Sequence, residues 1–261
     1  AKEVFDTTPY TILVVDDNPD MTDFLKRTFE GYFKRIIIAG DGGEALQLVR
    51  SHVPDIIVSD VMMPRMNGYK LCKTIKEDIN ISHIPVILLT ARDDRQSQIS
   101  GYKNGADGYL SKPFEVEMLM ELIRNRLKNR EYTKKRYLNA GLIPTPEEST
   151  ISLTDETFLI KLNSIIQENI ENSNLGIQFI CQEVGLGRSS LYNKLKALTG
   201  MGANEYISKL RIEKAITLIS GTDMPFSEIA EKTGFTTPSY FSTAFKQYTG
   251  ETPSQYKERK K

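Results

Sequence analysis

The sequence predicts two domains of different class: a doubly wound, five-stranded parallel α/β sheet over residues 1–130 and an all-helical domain over 154–261. Three observations carry this. Short, continuously apolar strands alternate with amphipathic helices in the first half, the pattern of a parallel sheet covered on both faces. No strand pattern appears from Thr154 onward. The helical half also repeats itself at a spacing of fifty residues, each copy a short helix, a Gly-containing turn and a longer helix, which is the form of a helix-turn-helix.

At 261 residues the chain is long enough for two cores. In the first half, strands are expected near 10–15, 35–39, 55–59, 85–89 and 107–110. Helices are expected over 19–31, 43–51, 68–78, 94–104 and 115–130. Five βα units in this order give a flavodoxin-like sheet. Residues 131–153 read as a linker, entered through a helical extension from 115: 131–136 is charged, and 141–150 carries Pro144, Pro146, Glu147 and Glu148. Helices then follow near 155–171, 177–183, 189–198, 203–219, 226–232, 238–248 and 253–259. Thr154 is the expected N-cap of the first, with Thr157 in place of the Glu that would complete a capping box.

Formal net charge is zero. Residues 174–261 nevertheless hold twelve Lys and Arg against eight Asp and Glu, a basic balance compatible with nucleic acid. No apolar stretch reaches the ~20 residues that span a bilayer, and no signal-peptide pattern is present. The chain opens at Ala1, as expected of a processed, trimmed or excised segment. Cys72 and Cys181, one in each half, read as buried thiols and not as a disulfide or metal site. His52 and His83 read as ordinary loop histidines, so a donor histidine must lie elsewhere.

Four strands end in reactive groups. Ile12-Leu13-Val14-Val15 runs into Asp16-Asp17, the third strand ends in Asp60, the fourth in Thr90 and the fifth in Ser111-Lys112. In a parallel α/β sheet the ligand crevice lies outside the carboxyl ends of the strands. Three carboxylates there repel unless a cation compensates. Mg²⁺ fits, since it takes carboxylate, water and phosphate oxygens. Lys112 adds a fixed positive charge for a transferred phosphoryl group, Asp60 is the candidate nucleophile, and Thr90 offers a hydroxyl to the phosphoryl oxygens. Tyr109, three residues before Lys112, is placed to change its packing when Thr90 moves.

The stretches ILVVDDN (12–18), PDIIVSDVMMPRMNG (54–68), PVILLTA (85–91) and GADGYLSKPF (105–114) resemble the receiver domain of two-component response regulators. The resemblance implies that Asp60 is the phosphoacceptor. It further implies Asp17 as the direct Mg²⁺ ligand, Asp16 acting partly through water, and the Met62 backbone carbonyl completing the metal site. Lys112 would pair with the phosphoryl group and precede a cis Pro113. Asn67 stands where the family often has Asp. A dimer face on 94–104, 107–110 and 115–130 is a further expectation.

In the second helical unit Thr237 can N-cap a helix with Pro238 at its first position. Phe241, Phe245 and Tyr248 share one face and are expected in the core. Ser239, Tyr240, Ser242, Thr243, Lys246 and Gln247 form the outer face, with Thr237 at its start. In the first unit Leu191, Leu195 and Leu198 are the apolar face, and Arg188, Ser189, Ser190, Asn193, Lys194 and Lys196 lie around the outside. Arg can read guanine and Asn adenine, while Lys mostly meets phosphate. Two helical hairpins in a bundle with no ligand are the bland alternative.

GFTTPSYFSTAFKQYTGETPSQYK (234–257) and SSLYNKLKALTG (189–200) resemble the AraC/XylS family of transcription regulators. That implies two helix-turn-helix units joined by a long helix, here 203–219, entering neighbouring major grooves roughly 34 Å apart. Met201-Gly202-Ala203 departs from the Ser-Pro of many members, which predicts a looser helix start.

Together the resemblances imply a transcription regulator, not an enzyme, that binds double-stranded DNA under control of phosphorylation by a histidine kinase. It would be cytoplasmic and a homodimer when active. The combination resembles the C-terminal part of a hybrid two-component protein, which implies sensor and kinase in the same full-length chain, anchoring in the inner membrane through upstream segments, and control of polysaccharide-use genes. The alternative is a phosphorelay or interaction module whose helical half binds protein.

Overall fold

A computed structural model describes residues 4–91, 105–139 (136–139 as backbone only) and 152–260. The chain divides into two compact units, 1–133 with 150–155, and 134–149 with 156–261.

In the first unit five parallel strands, β1 (Thr11–Val15), β2 (Arg35–Ala39), β3 (Ile56–Asp60), β4 (Val86–Ala91) and β5 (Gly108–Lys112), take the order β2-β1-β3-β4-β5. Strand side chains alternate between two cores. Ile12, Val14, Ile56, Val58, Ile87 and Leu89 meet Leu25 and Phe29 of α1 (Pro19–Phe29) and Leu119, Ile123 and Leu127 of α4 (Val116–Asn139). Leu13, Val15, Ile57, Val86 and Leu88 meet Ala45 and Val49 of α2 (Gly42–His52) and Leu71, Cys72 and Ile75 of α3 (Gly68–Glu77). The continuous apolar strands are thus buried on both faces. Asn18, Asp41 and Asn67 cap α1, α2 and α3 through side-chain oxygens. The helix expected at 94–104 lies outside the described residues.

Two boundaries differ from expectation. Helix α4 continues to Asn139, nine residues into the stretch expected as linker. Arg130 donates to the Asp55 carbonyl at 3.1 Å, and Asp55 in turn accepts from the Thr11 amide at 2.9 Å. Burial, with Glu131 close by, pushes the Tyr10 hydroxyl up to about 12. The next helix, α5 (Leu153–Glu168), is capped by Ser152, whose hydroxyl accepts from the Asp155 amide at 3.2 Å. Thr154 therefore lies inside the first turn, and its hydroxyl donates to the Lys76 carbonyl instead.

The second unit contains α6 (Ile177–Val184), α7 (Arg188–Thr199), α8 (Ala203–Gly221), α9 (Phe226–Lys232), α10 (Pro238–Thr249) and α11 (Pro253–Lys260). Pairs α6–α7 and α9–α10 turn at Gly185 and Gly234, both in the left-handed region with φ 72° and 71°. At Gly234 a Cβ would also stand 2.2 Å from the Ile170 carbonyl oxygen. At the start of α8, where Ser-Pro is replaced, Glu205 reaches back to accept from the Gly202 amide at 3.3 Å.

Ile212, Ala215 and Ile219 of α8, Ile229 and Ala230 of α9, and Phe235, Phe241 and Phe245 form one core. Phe241 sits 5.4 Å from the Phe235 ring and 5.7 Å from that of Phe245, centroid to centroid. Phe241→Ala is expected to destabilise this unit by about 3–5 kcal/mol, measured by urea unfolding of the intact chain. Tyr248, expected with the two phenylalanines, is instead at the surface, with its hydroxyl 3.4 Å from Glu213.

Candidate functional site

Register brings the strand ends together. Val15 pairs with Ser59, Asp60 with Leu89, Thr90 with Ser111 and Ala91 with Lys112. Asp16 follows Val15, so it stands beside Asp60. The oxygens of Asp16, Asp17 and Asp60 lie within 4.8 Å of one another. Asp16 and Asp60 are 3% and 7% exposed, whereas Asp17 is exposed.

Each buried carboxylate is oriented at both oxygens. Asp16 accepts from the Asn18 amide at 2.9 Å, and Asp60 from the Met62 amide at 3.2 Å. Their other oxygens both face Lys112 Nζ at 2.9 Å. Burial raises the Asp60 carboxyl above its ordinary value, with Lys112 pulling against it and the charge of Asp16 adding to the rise. Burial alone would lower Lys112, but its bonds to Asp60 and Asp16 outweigh that and hold the ammonium up. Thr90 is fully buried, and its hydroxyl has no hydrogen-bond partner among the described residues. Tyr109 is half-buried at the edge of the core, one strand over.

Helix α3 starts hard against the end of β3. The Gly68 amide donates to the Val61 carbonyl at 3.0 Å, and a Cβ at Gly68 would stand 2.2 Å from the Asp60 carbonyl oxygen. Glycine is therefore required by close approach there. Asn67, in place of Asp, accepts from the Lys70 amide at 2.9 Å and so does the work of a cap. Met62 is 70% exposed at the mouth of the site. The Lys112–Pro113 bond is cis, as expected.

The fold therefore brings Asp16, Asp17, Asp60, Thr90 and Lys112, each expected from the sequence, to adjacent strand ends. Three clustered carboxylates are a hard-oxygen donor set suited to a divalent cation. An amine on the same carboxylates and a buried hydroxyl without a partner suit the oxygens of an added anion. What the reading missed is Arg65, which bonds to Asp41 across the loop above the site. No periodicity links two residues in different loops.

The helical unit presents two outer faces. On α10, Ser239, Tyr240, Thr243, Lys246 and Gln247 are exposed. A shallow hollow of about 570 Å³ is lined by Ser242, Thr243, Lys246, Gln247, Gly250 and Thr252. Thr237 is exposed, but its hydroxyl is engaged as the cap of α10, accepting from the Tyr240 amide at 3.2 Å. On α7, Arg188, Ser189, Asn193 and Lys196 are exposed and Ser190 is half-buried. Lys194 does not belong with them: it is 0% exposed, with Nζ 5.1 Å from the centre of the Phe158 ring. It falls on the inward face with Leu191, Leu195 and Leu198, where its stem packs like an aliphatic side chain. Tyr192, not singled out in the sequence, is exposed on the outer face beside Asn193. Its one signal was its position between Arg188 and Lys196 on the polar side of the helix.

Two family models match the chain: "Response regulator receiver domain" over residues 12–124 and "Helix-turn-helix domain" over 180–259. "Histidine kinase P4" of Formosa agariphila is 41% identical over 249 residues, 95% of this chain but 18% of that protein. "Response regulator MprA" of a Mycobacterium species (strain KMS) is 36% identical over 165 residues, covering 58% of this chain and 70% of that one. The chain spans about half the length of other curated regulators it matches. Among solved structures, the receiver domain of Francisella response regulator 1452 is 37% identical over 46% of this chain and 98% of that one, with a TM-score of 0.43. Matched along both units, with the receiver's acidic cluster and lysine in place, the chain belongs to the two-component response regulators, as a receiver domain followed by an AraC-type helix-turn-helix domain.

Proposed function

We propose that Asp60 accepts a phosphoryl group from a histidine kinase and that this modification switches the binding of double-stranded DNA by the helical unit. The observation that carries the reading is the meeting of a buried carboxylate, the Lys112 ammonium and the partnerless Thr90 hydroxyl at the ends of adjacent strands. An Asp60 oxygen attacks phosphorus, the phosphorus–nitrogen bond to the donor imidazole breaks, and an acyl phosphate remains. Lys112 holds the anionic phosphoryl oxygens, and Thr90 donates its hydroxyl to one of them. Asp16, Asp17, Asp60 and the Met62 carbonyl would hold Mg²⁺, which supplies charge neutralisation between the carboxylates and the phosphoryl group. Capture of the Thr90 hydroxyl moves the end of β4 and gives Tyr109 its room, biasing a pre-existing equilibrium of the receiver.

On the DNA side Arg188, Asn193, Tyr240 and Gln247 reach bases, while Lys196 and Lys246 meet phosphates. Ser189, Ser190, Ser239 and Thr243 supply shorter contacts. The output is binding and not catalysis, by a homodimer formed on activation. Similarity along 95% of the chain to a segment of a much longer histidine kinase supports a donor in the same polypeptide. A cytoplasmic C-terminal position in that polypeptide and control of polysaccharide-use genes belong to the same proposal and rest on the sequence resemblance. No helix among the described residues is long and apolar enough to cross a membrane.

The test is selection of genomic DNA fragments by the chain, with and without Mg²⁺ and beryllofluoride as a phosphoryl mimic. A common sequence enriched at least tenfold more with the mimic is the expected result. A protein partner retained in place of DNA, at all salt concentrations, would favour an interaction module.

A further inference from the structure

The loop between β3 and α3 (61–67) leaves the phosphoacceptor and closes on the start of α2 through two adjacent contacts. Arg65 Nη2 donates to Asp41 Oδ2. That carboxylate is nearly buried and already oriented, because its Oδ1 caps α2 by accepting from the Gly43 amide at 2.7 Å and the Glu44 amide at 3.0 Å. Beside it, Gly42 approaches Met66 so closely that a Cβ would stand 2.6 Å from the Met66 carbonyl oxygen.

Arg65 holds its backbone in the left-handed region, with φ 64°. Gly or Asn fills that region with less steric cost than a residue bearing a long side chain. The choice of Arg there has its explanation at the other end of the side chain. A pair between two exposed, mobile groups would be worth little. Here one partner is fixed by two backbone amides, so only the guanidinium has freedom to lose.

We propose that Arg65, seated on Asp41, is a positioning residue for the phosphoryl site: it fixes the β3–α3 loop, and with it the Met62 segment, for metal binding. This rests on the reading of Asp60 and its neighbours as a phosphoacceptor and Mg²⁺ site. A residue that orients the surroundings of metal ligands changes affinity without touching the metal.

The experiment is a Mg²⁺ titration of the intact chain without phosphodonor, followed by the backbone amide resonances of residues 60–68. Arg65→Gly keeps the left-handed backbone and removes the side chain. It is expected to weaken Mg²⁺ binding on the order of tenfold, with Arg65→Lys recovering most of the loss. Gly42→Ala, which pushes the loop away from the other side, is expected to weaken it similarly with Arg65 intact. Labelling by acetyl phosphate should slow in Arg65→Gly at low Mg²⁺ and return to the wild-type rate at saturating Mg²⁺. Wild-type Mg²⁺ affinity in Arg65→Gly overturns the positioning role alone. A wild-type chain that binds no Mg²⁺ overturns the reading of the site beneath it.

Discussion

Asp60→Asn is expected to abolish acyl phosphate formation while raising the midpoint of thermal unfolding. In the proposed reaction the carboxylate of Asp60 is the nucleophile, and an amide of the same shape has no oxygen basic enough to replace it. The stability change has the opposite direction for a definite reason. Burial and the charge of Asp16 raise the Asp60 carboxyl above its unfolded value despite Lys112. A raised carboxyl contributes stability that is present below its unfolded value and lost as pH rises through the folded one. Without Mg²⁺, and above that pH window, ionisation of Asp60 therefore weighs on the fold, and its neutral counterpart removes that burden. Intact-mass measurement after incubation with acetyl phosphate and Mg²⁺, beside a thermal melt, reads both effects. Phosphoryl label on Asp60→Asn would place the acceptor elsewhere. Lys112→Ala is expected to leave Asp60 present but slow labelling on the order of a hundredfold, the scale of losing one charge-stabilising donor.

DNA binding is expected to weaken on the order of a thousandfold between 50 and 200 mM salt, for about six phosphates neutralised across both helix-turn-helix units. Lys246→Gln should lower the salt slope by about one and weaken binding to all sequences alike. Arg188→Gln should also relax preference at one base pair. Lys194→Gln is the internal control. Its charge lies inward against Phe158, so it should leave the salt slope unchanged and act on folding stability. Fluorescence anisotropy of a labelled duplex across a salt series distinguishes these results. A slope that falls equally in Lys194→Gln and Lys246→Gln would contradict the outward and inward assignments on α7 and α10.

The parallel sheet was legible because its strands are apolar on both faces, a run such as Ile56-Ile57-Val58 having no other home. Strand ends were legible for the same reason: the apolar run stops where Asp16, Asp60 and Thr90 begin. The extension of α4 was not, since residues 128–137 hold few apolar positions from which to read a period. A long-range pair at its base, Arg130 with Asp55, joins residues far apart in sequence. Lys194 was misplaced because residue type outweighed position. Its spacing from Leu191 and Leu198 put it on the inner face, and a lysine there is read as solvated until the ring beneath its ammonium is seen. Ser152 lost to Thr154 as the cap by a shift of two residues, within the ordinary fraying of helix starts.

The bond from Arg130 to Asp55 bears on where the molecule can be cut. The match to the receiver family ends at residue 124, and a fragment prepared to that limit would lose Arg130, the donor to the backbone carbonyl of Asp55, whose side chain accepts from the first strand's Thr11 amide. It would also lack Leu127, fully buried in the core between the sheet, α1 and α4, so uncovering the side chains packed around it, and leave Tyr10 without Glu131 beside it. An isolated receiver ending at 133 keeps all three contacts, and it is the shorter piece that should aggregate.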